Sequence, residues 1–454
     1  MPKRCVRESS TVGRLWSILF WSVISAAFIG PGTVTTAASA GARYGYALLW
    51  ALLFSTLACL VLQEAAARLT VVSGRDLGEA LRLQYRGGVS GVAVLGLVLG
   101  AIVLGCAAYE AGNILGGAAG AALGVDLSPR TLTLIIGAVA AAVLWVGRTT
   151  VVARLLGVLV AVMGIAFLAT AWRLGPDPVG LIRGTLVPAV PSGAGLLVLG
   201  LVGTTVVPYN LFLGSGLARG QELVELRFGL AVAVILGGVV SMGIVVVGTA
   251  VEGAFGFEAL AEVLSNRLGD GARRFFAVGL CAAGVSSAIT APIAAAITAR
   301  SLFSPTAREH GSGVEVWGER GWKFRSVWLA VLGVGVAFGL ADVKPIPAIL
   351  LAQALNGVLL PLVAVFLLLS VNDRRLVGSD GLNRVPANAA LGAVVAITVM
   401  LGLNNVAKAL VAAFGLTPPG ERTLLVLSVG VAVAGAVPVW RRARLLRGKP
   451  GLTG

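Results

Sequence analysis

The chain has few charged residues, a single histidine and only four cysteines. Asp, Glu, Lys and Arg make up 12% of its 454 residues, about half the share found in soluble domains. The histidine, His310, lies in a polar stretch, so no Ser–His or Cys–His pair can form within an apolar segment. No P-loop, HExxH or CxxC motif occurs. We therefore predict that the chain is not an enzyme and holds no cofactor or resident metal; ATP-driven transport would need a partner subunit.

Apolar residues dominate the chain, at 57% of its length and a mean hydropathy of +0.94. The 62 glycines and the aromatic content of only 6% suit close packing between transmembrane helices. Since a membrane-spanning helix needs about 20 apolar residues, the sequence predicts an all-α polytopic membrane protein with about twelve spans. The predicted spans are 15–41, 44–70, 88–122, 130–147, 150–172, 193–217, 228–251, 272–302, 326–342, 346–370, 386–412 and 422–440.

The net charge of +15 does not indicate nucleic-acid binding, because most Lys and Arg residues lie on one side of the predicted spans. Of the 35 Lys and Arg residues, 25 lie in segments on the side of the N-terminus and nine on the opposite side. Cytoplasmic segments of membrane proteins carry such an excess. We therefore predict an inner (plasma) membrane protein whose two basic tails, 1–14 and 441–454, are cytoplasmic and adjoin the lipid bilayer. No cleavable signal peptide is evident.

Two apolar spans are interrupted by proline. Gly30-Pro31-Gly32-Thr33 lies in the middle of span 1, and Pro208 interrupts span 6. Because hydrocarbon does not tolerate unpaired backbone groups, each break must be buried in protein or line a cavity. Breaks five spans apart are typical of transporters built from two inverted five-helix repeats around a midplane site. The repeats are predicted at 15–172 and 193–370, and the last two spans lie within 386–440.

Several polar residues lie within or beside the spans. Glu110 is the only deep carboxylate, which by default marks a functional site; the alternative is a protonated Glu110 that hydrogen-bonds to a neighbouring helix. Gln353 and Asn356 share one face of span 10. Glu64 and Arg68, four residues apart at the end of span 2, are predicted to form an ion pair. The residues after 73–74 suit a short amphipathic helix.

Five blocks of the sequence keep a characteristic order and spacing over residues 20–370. The blocks are 30–33 with 40–50, 63–69 with 74–80, 203–215, 282–290 and 353–361. Together they resemble the Nramp family of proton-coupled divalent-metal transporters. The resemblance implies a LeuT-like fold, with inverted five-helix repeats, broken helices 1 and 6, and transport by alternating access.

The chain departs from the family pattern at the positions that would bind metal. Gly30 and Thr33 stand where the family has Asp and Asn, and Val207 and Tyr209 stand where it has Met and His. Gly214 replaces a second His. The resemblance therefore implies a site without the family's carboxylate, thioether and imidazole ligands.

At the two positions in span 3 where the family has acidic residues, this chain has Glu110 and Asn113. Glu110 is thus the only deep titrating group and the candidate for ion coupling. Since both span 6 histidines are absent, we expect uncoupled or differently coupled transport.

The predicted substrate site consists of hydroxyls, amides and backbone, with no negative charge. Its residues are Gly30, Thr33, Thr35, Thr36, Thr204, Val207, Tyr209, Asn210, Gln353 and Asn356. Thr33 and Thr204 are expected to face the substrate, whereas other threonines could instead bind carbonyls freed by the breaks.

The substrate is predicted to be a small inorganic ion or small polar solute. Half-helix N-termini aimed at the site carry roughly +0.5 charge each, so the site suits a small anion such as bicarbonate better than a transition metal. Nitrite, formate or a small carboxylate satisfies the same argument. The alternatives are a Mn²⁺- or Mg²⁺-type transporter with a carboxylate-free site, and a non-transporting receptor whose site is plugged by Tyr209. The oligomeric state, the direction of transport and the coupling ion are not predicted.

Overall fold

A computed structural model describes residues 29–85, 87–147, 149–304, 317–413 and 421–448. Every regular element within these residues is a helix. The predicted N-terminal tail 1–14, the first half of span 1, the loop around His310 and residues 449–454 of the basic tail lie outside the described residues.

The helices of the described residues are numbered here in chain order. They are α1 (Pro31–Tyr44), α2 (Leu49–Ser73), α3 (Leu77–Gln84), α4 (Gly88–Ala122), α5 (Pro129–Val146), α6 (Thr149–Arg173), α7 (Pro178–Leu186), α8 (Gly195–Thr205), α9 (Pro208–Leu217), α10 (Leu223–Gly248), α11 (Phe257–Leu268), α12 (Gly271–Phe303), α13 (Trp322–Leu340), α14 (Pro345–Ser370), α15 (Arg374–Val377), α16 (Val385–Ala413) and α17 (Glu421–Arg447).

Ten helices of the described residues are long and apolar enough to cross a membrane, with α8 and α9 counted as one interrupted span. The second half of span 1 is α1, and span 5 is α6. Observed helices coincide with all predicted spans from the second to the twelfth; the largest difference at an end is at α17, which extends to Arg447 where 440 was predicted. The chain is therefore a multi-pass all-α membrane protein.

Four short helices, α3, α7, α11 and α15, lie between the spans in the described residues. The predicted amphipathic helix is α3, which begins with a capping box in which Asp76 and Glu79 bind each other's backbone N–H groups. Helices α7, α11 and α15 are not among the elements predicted from the sequence. The Asp177 side chain caps α7 by accepting from two backbone N–H groups, a local signal that a search for 20-residue apolar runs passes over.

Glycine allows the central helices to approach closely. A Cβ on Gly117 of α4 would lie 3.2 Å from the Cα of Gly284 on α12, and one on Gly120 would lie 2.7 Å from the backbone N of Cys281. A side chain at Gly116 would collide with Pro31 at the start of α1. Small residues thus hold α4 against both α12 and the first residue of α1.

The end of α9 is anchored to α2 and α3 by polar contacts. The Ser215 hydroxyl lies 2.7 Å from the Thr70 hydroxyl and accepts from the Leu77 N–H at 2.7 Å. Arg219, just beyond α9, pairs with Glu79 at 2.7 Å. These contacts fix the helix that follows the break in span 6.

The predicted ion pair at the end of α2 is confirmed, and it belongs to a larger network. Arg68 lies 3.4 Å from Glu64, donates to the Gly381 carbonyl at 3.1 Å and contacts the Asn383 side chain. Arg227 of α10 pairs with Glu64 at 2.6 Å. The network joins α2 to α10 and to the segment that precedes α16.

Candidate functional site

Two helices begin with proline where spans 1 and 6 are interrupted. The first, α1, starts at Pro31, after Gly30 in an extended conformation (φ −103°, ψ 179°). In span 6, α8 ends at Thr205 and α9 starts at Pro208, after two non-helical residues. Proline suits the first helical position because its missing N–H would have no partner within the helix. The predicted break in span 6 is confirmed, and in span 1 the described residues show a helix that begins at Pro31.

The two interrupted spans meet at a pair of threonines. The hydroxyl oxygens of Thr33 on α1 and Thr204 on α8 lie 2.8 Å apart, and either can donate. Both side chains are buried. One turn away along each helix, Thr36 packs on Gly200, where a Cβ would lie 2.9 Å from the Thr36 methyl carbon. One face of α1 therefore lies directly against one face of α8.

Gln353 on α14 reaches the same place. A side chain on Gly32 of α1 would collide with the Gln353 amide, and Gly203 of α8 packs on the Gln353 backbone carbonyl. Asn356, one turn further along α14, faces α4 instead: a Cβ on Gly105 would lie 2.9 Å from its Oδ1. Gln353 thus lies between the two interrupted spans, whereas Asn356 lines the side next to α4.

The start of α9 holds the remaining predicted residues. Val207 is the residue before the helix, with extended backbone, and its carbonyl accepts from the Asn210 N–H at 3.0 Å. Tyr209 and Asn210 are buried, each only 1% exposed. The Tyr209 ring meets the Tyr109 ring edge to face, with centroids 5.7 Å apart. Tyr209 is therefore packed in place against α4.

Two hydroxyls that are not among the predicted site residues face Gly30. A Cβ on Gly30 would lie 3.1 Å from Ser287 Oγ of α12 and 3.8 Å from Tyr109 Oη of α4. Both side chains are buried. The sequence signals that could have found them are the position of Tyr109 next to Glu110 and the position of Ser287 within the block 282–290. The space beside Gly30, where the family carries a carboxylate, is thus bordered by hydroxyls.

Glu110 lies beside this cluster, against α13. A Cβ on Gly335 of α13 would lie 2.6 Å from Glu110 Cγ, and Glu110 Oε2 accepts from Asn113 Nδ2 at 3.3 Å. The carboxyl is fully buried. This hydrogen-bond partner, Asn113, lies on α4 itself and not on a neighbouring helix.

Buried polar atoms without a hydrogen-bond partner in the described residues are concentrated around the breaks. Around the breaks they include the hydroxyls of Thr35, Thr36, Tyr209 and Ser287, Gln353 Oε1 and both amide atoms of Asn210; both amide atoms of Asn356, next to α4, are a further case. An unpaired buried polar group costs about 1–3 kcal/mol, and native proteins retain few of them. Water or a bound polar solute is therefore needed to satisfy them.

The threonines divide between two roles. Thr205 donates to the backbone carbonyl of Leu201 at 2.9 Å, which is the role of satisfying helix carbonyls. The hydroxyls of Thr35 and Thr36 make no such bond. Thr35 and Thr36 therefore do not take the alternative role predicted for threonines, which is to bind carbonyls freed by the breaks.

Helix ends of both signs meet at the breaks. Neither α1 nor α9 has an acidic residue in its first turn or a side chain that caps its N–H groups, so each presents roughly +0.5 charge. The C-terminal end of α8 reaches the same point and carries about −0.5. Across the described ranges, no group of three or more His, Cys, Asp or Glu side chains could hold a metal ion.

A buried polar site between two interrupted helices of a multi-pass bundle is the arrangement of a secondary transporter. Residues 22–408 match the Nramp family, described as natural resistance-associated macrophage protein-like. The chain belongs to this family. The divalent metal cation transporter MntH of Acidiphilium cryptum is 30% identical over 419 residues, which cover 87% of this chain and 90% of that protein.

The fold is also that of solved transporters. A histidine-to-alanine mutant of the Eremococcus coleocola manganese transporter matches with a TM-score of 0.71 over 98% of this chain and 97% of that chain, at 18% identity. Mhp1, a nucleobase-cation-symport-1 family transporter in a closed conformation, matches with a TM-score of 0.55 over 94% and 92% of the two chains, at 14% identity. The predicted LeuT-like inverted-repeat fold and the resemblance to Nramp are therefore confirmed, and the chain is a transporter and not an enzyme.

Proposed function

We propose that this transporter carries a small monovalent anion, with bicarbonate as the first candidate, through the site at the two helix breaks. The observation that carries the proposal is the composition of the site. Its side chains are the hydroxyls of Thr33, Thr204 and Ser287 and the amides of Gln353 and Asn210, and none has a negative charge. A small oxyanion needs several hydrogen-bond donors, which these groups supply.

The electrostatic balance at the breaks supports an anion. A helix N-terminus of roughly +0.5 charge, 4 Å from a monovalent anion, stabilises it by about 2 kcal/mol at an effective dielectric constant of about 20. The N-termini of α1 and α9 both contribute, and the C-terminus of α8 opposes one of them. A dehydrated divalent cation would meet the opposite field with no carboxylate to offset its desolvation.

A divalent metal ion is the second candidate, and the comparisons favour it over bicarbonate. The relatives are named divalent metal cation transporters, and one of them aligns over 90% of its length. In this chain a metal would have to be held by carbonyls at the end of α8, Gln353 Oε1, Asn210 Oδ1 and hydroxyls. Such a site would lack the carboxylate that Mn²⁺ and Mg²⁺ sites normally include.

The proposal also covers the movement of the repeats, the coupling group and the orientation in the membrane. The repeats 15–172 and 193–370 move against each other by alternating access, with Glu110 as the coupling group. The protein lies in the plasma membrane, and its tails, 1–14 and 441–454, are cytoplasmic because the excess of Lys and Arg is on their side.

Transport by purified protein in liposomes tests the two candidates directly. Uptake of ¹⁴C-bicarbonate and of ⁵⁴Mn²⁺ is measured with wild type, with Thr33→Asp and with Gly100→Ala, a lipid-side control with open space beside it. We expect saturable bicarbonate uptake that Thr33→Asp lowers by about tenfold or more and Gly100→Ala leaves unchanged. Saturable Mn²⁺ uptake without bicarbonate uptake would overturn the anion proposal in favour of the metal.

A further inference from the structure

We propose that the groove between α14, α16 and α17 binds one anionic phospholipid, with its phosphate at Arg441 and Arg444 and its acyl chains along α16. The groove is remote from the helix breaks, so the inference does not rest on the proposed substrate. It follows from the shape of the groove, from the distribution of charge along it and from the exposure of its walls.

The groove has the size and lining of a lipid site. Its volume is about 870 Å³, and its walls are mainly Val, Ala and Gly residues of α16 and α17. Along α16 the lining runs from Asn388 to Met400, which at 1.5 Å per residue is about 18 Å. One leaflet of the hydrocarbon core is about 15 Å thick. The groove is thus long enough for acyl chains that enter from one leaflet.

One end of the groove is basic and aromatic. Trp440, Arg441 and Arg444 all line it, and their spacing puts them on one face of α17. The Arg444 guanidinium lies 5.8 Å from the centre of the Trp440 ring. Tryptophan is enriched where membrane and water meet, so this end of the groove lies at the level of lipid headgroups.

The two arginines are available for a phosphate. Within the described part of the chain, no salt bridge joins Arg441 or Arg444 to a carboxylate. Guanidinium groups bind phosphate oxygens through paired N–H donors. An uncharged lipid would fill the apolar part and leave both charges unmatched; a soluble anion would match the charges and leave the apolar part unfilled. Only a ligand with both parts, an anionic phospholipid, suits the whole groove.

A second protein chain is a weaker occupant for the same reason. Val433 and Val437 of α17 are 62% and 47% exposed, as is expected of residues that face lipid. An apolar helix of another copy would cover these residues but would bring no anionic group to Arg441 and Arg444. The charge at the end of the groove therefore favours the lipid.

Native mass spectrometry of the purified full-length chain tests the assignment. The protein is incubated with equal amounts of phosphatidylglycerol and phosphatidylcholine that share the same acyl chains, and the retained lipid is measured. Wild type is expected to retain phosphatidylglycerol preferentially. Since each arginine near a headgroup contributes about 1 kcal/mol, R441Q/R444Q should lower this preference by about 30-fold. R442Q, which removes the neighbouring charge outside the lining, should leave it within about twofold.

A cavity-filling variant tests the apolar part separately. Ala436 lines the groove, and Ala436→Trp should lower retention of both lipids although the arginines remain. An equal preference for phosphatidylglycerol over phosphatidylcholine in R441Q/R444Q and R442Q would overturn the headgroup assignment. Unchanged retention in a correctly folded Ala436→Trp protein, or a dimer that this variant dissociates, would overturn the lipid as the occupant. If Ala436→Trp does not fold, the comparison of R441Q/R444Q with R442Q still tests whether the groove binds an anionic headgroup.

Discussion

The hydroxyls of Thr33 and Thr204 lie 2.8 Å apart and form the contact at which the two interrupted spans meet. They are 171 residues apart in sequence. Thr33 lies just after the break in span 1, in the first turn of α1, and Thr204 lies just before the break in span 6, at the end of α8. In the family one of these positions is an amide ligand, whereas here each threonine is the partner of the other. A substrate that binds between α1 and α8 must therefore compete with or extend this bond.

Removing one hydroxyl of the pair tests its part in transport. Thr33→Val keeps the shape of the side chain but leaves the buried Thr204 hydroxyl without this partner, which should lower stability by about 1 kcal/mol. Uptake of the transported ion should fall by about tenfold. Initial uptake rates and thermal unfolding of T33V, T204V and T33V/T204V form a double-mutant cycle. Strictly additive effects on uptake would show that the two hydroxyls act independently.

Gly32 is required because Gln353 occupies the space beside it. Gly32→Ala would drive a methyl group into the Gln353 amide, so the amide must move, at a cost of about 1–3 kcal/mol. Transport should be lost, whereas Gly333→Ala, which has open space, should transport normally. G32A/Q353A should regain the melting temperature but not the uptake. If Gly32→Ala took up the ion at the wild-type rate, the Gln353 amide would not be part of the site.

Most of the fold could be predicted from the sequence, because membrane spans need long apolar runs and breaks in them need proline or glycine. Pro31 and Pro208 were found in this way, and both begin helices as expected. The short helix α11 could not be found by that rule, since its twelve residues are too few to cross a membrane.

The site could be predicted only in part, because the sequence alone does not give the direction of a side chain. Gln353 faces the breaks and Asn356 faces α4, although both were predicted to line the site from one helix face. Ser287 was missed because its helix, α12, is uninterrupted at that point, and only the packing of α12 against Gly30 brings its hydroxyl there.

An ion pair outside the spans, with a buried carboxylate, gives a prediction for stability. Asp373 is fully buried. It accepts two hydrogen bonds from the Arg375 guanidinium, at 3.0 and 2.6 Å, and a third from the Arg375 backbone N–H at 3.0 Å. The hydrogen bond to Asp373 raises the pKa of Arg375, although partial burial opposes this, so the arginine stays charged. Arg375→Gln would leave the buried carboxylate without its cationic partner and should destabilise the protein by about 3 kcal/mol. D373N/R375Q should recover much of the loss in thermal unfolding; equal melting temperatures for R375Q and wild type would contradict this.

Glu110 gives a prediction for coupling that does not depend on the substrate. Its carboxyl is buried against α13 and accepts a hydrogen bond from Asn113. Glu110→Gln keeps the shape and the acceptor but cannot release a proton. If Glu110 couples transport to protons, a pH gradient should drive concentrative uptake in wild-type liposomes and not in the variant, while exchange at equal pH continues. Gradient-driven uptake by Glu110→Gln at the wild-type rate would exclude this residue as the coupling group.

The hydroxyls beside Gly30 should contribute to substrate affinity. Ser287 Oγ lies 3.1 Å and Tyr109 Oη 3.8 Å from where a Gly30 side chain would begin, so both border the space that the family gives to a carboxylate. Ser287→Ala and Tyr109→Phe each remove one donor and keep the packing, and we expect each to raise the KM for the transported ion by about 5- to 15-fold. Ser241→Ala is the matched control, since this buried serine donates to the Gly237 carbonyl within α10. Concentration-dependent uptake in liposomes gives KM and the maximal rate. A KM unchanged in both variants would show that these hydroxyls only pack beside the site.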